Sequence, residues 1–121
     1  MMGGNKTLIL GNWKMNFTVK EAVAYAQKLA RLKPSKEVEV VVAPHHLALA
    51  KVADELKGSD IKVAGQNAYW KDEGPFTGEV SMPMLRGLAS YVLVGHSERR
   101  HVFGESDDVV MHKVISAFRS N

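Results

Sequence analysis

The chain contains no cysteine. That excludes a disulfide frame and thiolate chemistry, and it leaves the redox compartment open. No apolar run approaches the roughly 18 residues of a membrane span, so no membrane association is expected. Basic residues form no block and no ladder with aromatics. The net charge is +3 and scattered, which excludes nucleic acid as the expected partner. The opening Met1-Met2-Gly3-Gly4-Asn5-Lys6 lacks an apolar core and is not expected to be a signal peptide. Phosphate loops of the Walker type, GxGxxG and the GxSxG elbow are all missing, so Ser97 has no nucleophile context. Five histidines are present, yet there is no HExxH and no cysteine support, so no metal is expected.

What remains is ordinary globular material. Of 121 residues, 45% are hydrophobic and 24% charged, enough for one domain over residues 1–121 with a modest core. Thr7 to Leu10 reads as a strand ending at Gly11. Thr18-Val19-Lys20-Glu21 fits a capping box, in which Thr and Glu satisfy each other's orphan backbone donors. Val19, Val23, Ala26 and Ala30 then share one helical face. Val38 to Ala43 is a second strand, closed by Pro44. Leu49, Val52, Ala53 and Leu56 mark a second helix, stopped at Gly58. Ile61 to Ala64 is a third strand. A long loop runs from Asn67 to about Ser81, and loops of that length are usually functional or interface loops. A short helix is expected from Met82 to Ala89. A fourth strand follows over Tyr91 to Val94, apolar enough to be buried on both faces. Ser106-Asp107-Asp108 begins a last helix, with Val110, Val114, Ala117 and Phe118 expected on its buried face. The βα alternation argues for a parallel sheet with right-handed crossovers.

The polar residues converge on that plan. Asn12 and Lys14 follow the first strand, His45 and His46 the second, Gln66 and Asn67 the third. His96, Ser97 and Glu98 follow the fourth. All stand at the C-terminal ends of strands, the rim on which parallel α/β folds place ligands and catalytic groups. Lys14 suits an anion or a polarised carbonyl. Asn12 can donate to an oxyanion or hold its own turn. His96 can be an acid, a base or a neutral donor. Glu98 can be a base, a partner for Lys14, or a first-turn helix carboxylate. Arg99 and Arg100 can pair with Glu105 or remain solvated.

Four motifs in order, Gly11-Asn12-Trp13-Lys14-Met15-Asn16, Gly65-Gln66-Asn67, Phe76-Thr77-Gly78-Glu79-Val80-Ser81 and Val94-Gly95-His96-Ser97-Glu98-Arg99-Arg100, resemble triose-phosphate isomerase. The resemblance covers nearly the whole chain. It implies half of a (β/α)₈ TIM barrel, α/β in class, with four parallel βα units in order 1-2-3-4. It implies interconversion of dihydroxyacetone phosphate and glyceraldehyde 3-phosphate, no cofactor, a homodimer and a cytoplasmic place in glycolysis and gluconeogenesis. By the family pattern His96, Lys14 and Glu98 are catalytic. Asn12 and Lys14 contact substrate, with His96 as the neutral electrophile and Ser97 in support. Phe76 and Thr77 belong to a subunit interface, and Arg99 and Glu105 form a structural pair.

A barrel of this family takes about 250 residues, and the pattern here covers four βα units. The family's catalytic glutamate, mobile lid and glycine-rich phosphate turns lie outside the matched stretch. A partial enzyme without its base is therefore expected to be inactive alone. It is expected to associate with itself or with a complementary half-barrel, through the open edges of its first and last strands. The competing reading is a non-catalytic half-barrel scaffold or a module that binds a phosphorylated ligand.

Overall fold

A computed structural model describes residues 5–120; Met1 to Gly4, on which the signal-peptide expectation falls, and Asn121 lie outside the described residues. The elements are β1 (Thr7–Asn12), α1 (Val19–Leu29), β2 (Val38–Ala43), α2 (His46–Glu55), β3 (Ile61–Gly65), α3 (Met82–Leu85), β4 (Tyr91–Val92), α4 (Ser97–His101) and α5 (Asp107–Arg119). The strands form one parallel sheet in the order β1-β2-β3-β4, curled as half of a TIM barrel.

Local chemistry accounts for most boundaries. The Thr18 hydroxyl accepts from the Glu21 N–H at 3.2 Å, and the Glu21 carboxylate accepts from the Thr18 N–H at 3.0 Å. That reciprocal pair is the capping box, and it starts α1. The Ser106 hydroxyl likewise accepts from the Val109 N–H at 3.3 Å, with Asp107 and Asp108 in the first turn of α5. β1 runs two residues past its expected end. Gly11 and Asn12 stay in register with Val42 and Ala43, because a parallel ladder needs only backbone groups.

The sheet has two unlike faces. On one, Val42, Ile61 and Val63 pack against Ala22 and Ala26 of α1, Leu49 and Val52 of α2, and Met82 and Leu85 of α3. Each large aliphatic side chain buried there contributes about 1.5–3 kcal/mol. Among the described residues, no helix packs on the other face. Val41, Ala43 and Ala64 cluster on it, flanked by Leu10 and Leu93. Gly65 stands where a Cβ would lie 2.7 Å from Leu85 Cδ1, so its lack of a side chain lets α3 close down on β3.

Three expectations are corrected. β4 is only two residues long, Tyr91 is exposed, and the rest of the run to Val94 is half-buried. Among the described residues it pairs only with β3, in a ladder that ends at Gly65, so β4 is the open edge that four βα units leave, but it is not buried on both faces. α3 stops at Leu85, short of Ala89, because Arg86 turns extended and Gly87 takes a φ of 84°. On α5, Val114 and Phe118 are 39% and 79% exposed, not buried. The helix is rotated to turn Lys113 and Ser116 inward, with Val110 and Ala117 half-buried beside them. The long loop is also less open than its sequence suggests. The Tyr69 N–H donates to the Val80 carbonyl at 2.7 Å, and the Phe76 and Trp70 rings lie 4.4 Å and 4.1 Å from the Tyr69 ring.

Candidate active site

Asn12 closes β1, and the next residue, Trp13, is buried. Its ring centroid lies 5.3 Å from those of both Phe17 and Tyr25. This aromatic anchor fixes the β1–α1 connection, and Lys14 emerges from it with a φ of 56°. A non-glycine residue in that region carries strain, which the surroundings must hold. They do so from both sides. The Lys14 N–H donates to Asn12 Oδ1 at 2.9 Å, and the Lys14 carbonyl accepts from Gln66 Nε2 at 2.8 Å. Gln66 Nε2 also donates to the Ala43 carbonyl at 2.9 Å, so one amide ties the ends of β2 and β3 to the lysine loop.

His96 enters from the β4 side. Gly95 precedes it with a φ of 69°, and a Cβ there would lie 2.9 Å from Val110 Cγ1. Only glycine fits that turn. His96 then caps α4, its Nδ1 accepting from the Glu98 N–H at 3.1 Å. With Nδ1 accepting, Nε2 is the ring nitrogen left to donate toward the cleft. Glu98, in the first turn of α4, meets Lys14 Nζ at 2.8 Å through Oε1. The hydrogen bond from Lys14, and then its charge, holds the Glu98 carboxyl below the usual carboxylate range.

Asn12, Lys14, Gln66, His96, Glu98 and Phe103 line one shallow cleft of about 170 Å³. Larger grooves of about 660 and 670 Å³ lie elsewhere, one beside α2 and one at the opposite ends of the strands. Their lysines and carboxylates belong to the solvated surface, whereas the small cleft gathers an amide, an ammonium and an imidazole. The structure therefore brings together Asn12, Lys14, His96 and Glu98. Ser97 is exposed at the start of α4. Phe76 and the exposed Thr77 sit in the long loop and do not line the cleft. His45 turns away, its Nε2 2.7 Å from the Phe17 carbonyl oxygen. Among the described residues no group of three or more His, Asp or Glu is arranged to hold a metal.

Beneath the cleft lies a charged cluster that the sequence only half shows. Arg99 Nε donates to Glu105 Oε2 at 2.9 Å, while Arg100 pairs with Asp107 instead. The buried Lys113 Nζ donates both to Glu105 Oε2 at 2.8 Å and to Asn67 Oδ1 at 2.9 Å. Burial pushes the Glu105 carboxyl up, but the hydrogen bonds from Lys113 and Arg99 outweigh it and leave the group below its ordinary range. The one available signal for Lys113 was a lysine three residues after Val110 and four before Ala117, on an otherwise apolar helical stripe.

The family model described as triosephosphate isomerase matches residues 7–121. Triosephosphate isomerase of Acetivibrio thermocellus is 50% identical over 115 residues, covering 94% of this chain and 46% of that protein. The enzymes of Clostridium botulinum and Moorella thermoacetica are 48% and 45% identical, over 46% and 47% of their own lengths. The chain thus spans about half the length of the relatives it matches. The match over residues 7–121, on a sheet of four parallel strands in the order β1-β2-β3-β4, places this chain in the triosephosphate isomerase family.

Proposed function

We propose that this chain carries the amino-terminal half of a triosephosphate isomerase active centre, the half that binds and polarises dihydroxyacetone phosphate or glyceraldehyde 3-phosphate. The observation that carries the reading is the meeting of Lys14, His96 and Glu98 at one cleft. Moving a proton between adjacent carbons passes through an enediolate, whose negative charge needs donors placed beforehand. His96 Nε2–H serves as the electrophile toward the carbonyl oxygen. Lys14 faces the substrate's negative charge, Asn12 adds an amide contact, and Ser97 supports the α4 turn. Glu98 completes the catalytic set by orienting Lys14, because its carboxylate is already engaged there.

Among the described residues, no carboxylate lining the cleft is left free to remove the carbon-bound proton. General-base catalysis contributes about 10²–10⁴-fold, so turnover requires βα units beyond those seen here, which supply the base and the phosphate contacts. The pathway is then glycolysis and gluconeogenesis, the place is the cytoplasm, and the working assembly includes a complementary half-barrel. Phe76 and Thr77 contribute an intersubunit contact, as in a homodimer. No helix among the described residues is long and apolar enough to cross a membrane, which is compatible with that setting.

The test is a coupled assay of triose phosphate interconversion. The chain alone is expected to match buffer, and addition of a chain carrying the last four βα units is expected to restore turnover. Lys14→Ala or His96→Gln in this chain should remove what is restored. Robust turnover by the chain alone overturns the reading, and so does restored turnover that is indifferent to both substitutions.

A further inference from the structure

Lys113 is fully buried on the inward stripe of α5, between the half-buried Val110 and Ala117. A cation therefore occupies a core position, paired there with Glu105. Such a pair is weak evidence for stability, because apolar residues of similar volume often fill the same site as well or better. This pair has instead two arms that end on one residue. The first runs through Asn67. Lys113 Nζ donates to Asn67 Oδ1 at 2.9 Å, and the neighbouring Gln66 holds the Lys14 carbonyl at 2.8 Å. The second runs through Arg99. Glu105 Oε2 accepts from Arg99 Nε at 2.9 Å, and the Glu105 N–H donates to the Arg99 carbonyl at 2.9 Å. The neighbouring Glu98 holds Lys14 Nζ at 2.8 Å.

We propose that the buried Lys113–Glu105 pair positions Lys14, by setting Gln66 through Asn67 on one side and Glu98 through Arg99 on the other. Lys113 and Glu105 do not line the cleft, so they are positioning residues and not catalytic ones. The proposal rests on the isomerase reading only for the use to which Lys14 is put.

Lys14 needs such support. Its φ of 56° lies in a strained region that persists only where the surroundings over-determine it. Its ion pair with Glu98 is half exposed, so water and salt weaken the attraction and the two long side chains do not align themselves. Gln66 is also a long side chain, and fixing its rotamer costs entropy. The alignment comes from the residue next to each grip. Asn67 and Arg99 both line the cleft, and both are held from beneath by charge-assisted hydrogen bonds shielded from water, where such bonds are strong. The backbone of Lys14 is thereby fixed by one arm and its ammonium by the other.

Nuclear magnetic resonance of the full 121-residue chain reads the two grips separately. A residue at positive φ gives a strong Overhauser signal between its own amide and α protons, and Lys14 should show it. The Glu98 carboxyl carbon should titrate below the ordinary glutamate value of about 4.3, because Lys14 donates to it and Lys14 and His96 are the charges acting on it. Asn67→Ala cuts the first arm and keeps the buried pair, and it should weaken the Lys14 signal. Arg99→Met cuts the second arm and keeps the pair, and it should raise the Glu98 titration to the ordinary value. Glu105→Gln should do both. Where Glu105→Gln fails to fold, the two single cuts decide. Leu49→Ala, in the helix-side core, should lower stability and move neither signal. Folded Asn67→Ala and Arg99→Met chains that keep both signals overturn the proposal. It is overturned too if Leu49→Ala moves them as far, since Lys14 then follows general stability. Both signals are read without substrate, so this proposal and the isomerase reading fail separately.

Discussion

Lys14 and Glu98 face each other across the cleft, Nζ to Oε1 at 2.8 Å, from the β1–α1 connection and the first turn of α4. The pair joins the first and last βα units of the chain. Both side chains are about half exposed, 49% and 46%, so water and salt screen their attraction. The contact consequently orients the lysine more than it stabilises the fold. Glu98→Gln should leave the urea midpoint unchanged within error while weakening the binding of a triose phosphate analogue. Urea titration followed by fluorescence checks the first part and titration calorimetry the second. A large loss of stability would show that the pair holds the fold.

The buried cluster under the cleft should behave in the opposite way. Glu105 and Lys113 side chains are 4% and 2% exposed, and removing one partner leaves a charge in a site that water does not reach. Glu105→Gln, which strands both Lys113 and Arg99, should cost about 3–5 kcal/mol. Urea unfolding of the purified variant measures it. A cost indistinguishable from that of an exposed carboxylate such as Asp54 would contradict the cluster's structural role.

The pH dependence of stability should show two separate windows. Burial holds the His46 imidazole below its ordinary range, and its Nε2 is buried without a partner. The unfolded chain therefore takes up a proton that the folded chain resists. Stability is full above the unfolded value near pH ~6.5 and declines as pH falls from there toward the folded value. Glu105, held down by Lys113 and Arg99 against its burial, contributes stability that is full above about pH 4.3 and lost as pH falls through its folded value. His46→Gln should flatten the upper window and leave the acid one. Thermal melts across pH resolve the two.

Gly95 should tolerate no side chain. Its φ of 69° and the 2.9 Å approach of Val110 Cγ1 to a built Cβ act together. Gly95→Ala should cost about 1–3 kcal/mol and shift His96 off its capping position. A melt gives the first effect, and loss of the Glu98 amide's protection from hydrogen exchange gives the second.

Much of this was legible because it is local. Thr18 and Glu21 announce the start of α1 three residues apart, and Val40-Val41-Val42 resists helix by propensity. The rim residues were legible because strand ends recur with the βα period, so Lys14 and His96 fall on one edge without any contact being known. What could not be read depends on neighbours. The apolar run Tyr91 to Val94 reads as buried on both faces, but its ladder with β3 ends at Gly65 and Tyr91 is exposed. Val114 and Phe118 fit a buried stripe by spacing alone. The rotation of α5 is set instead by Lys113 reaching Glu105 and Asn67, which lie 8 and 46 residues away in sequence. Gln66 was placed on the rim, but its grip on the Lys14 carbonyl spans 52 residues and leaves no mark in either segment.

Proton exchange at the substrate carbon is the most direct measurement of whether this chain polarises without deprotonating. Dihydroxyacetone phosphate is incubated in deuterium oxide with the purified chain, and deuterium at the carbon next to the carbonyl is followed by proton magnetic resonance. The expected result is no incorporation above buffer for the chain alone. Incorporation should appear when a chain carrying the last four βα units is added, and it should be lost with His96→Gln. Incorporation by the chain alone that disappears with Glu98→Gln would make Glu98 a working base and contradict the half-site reading.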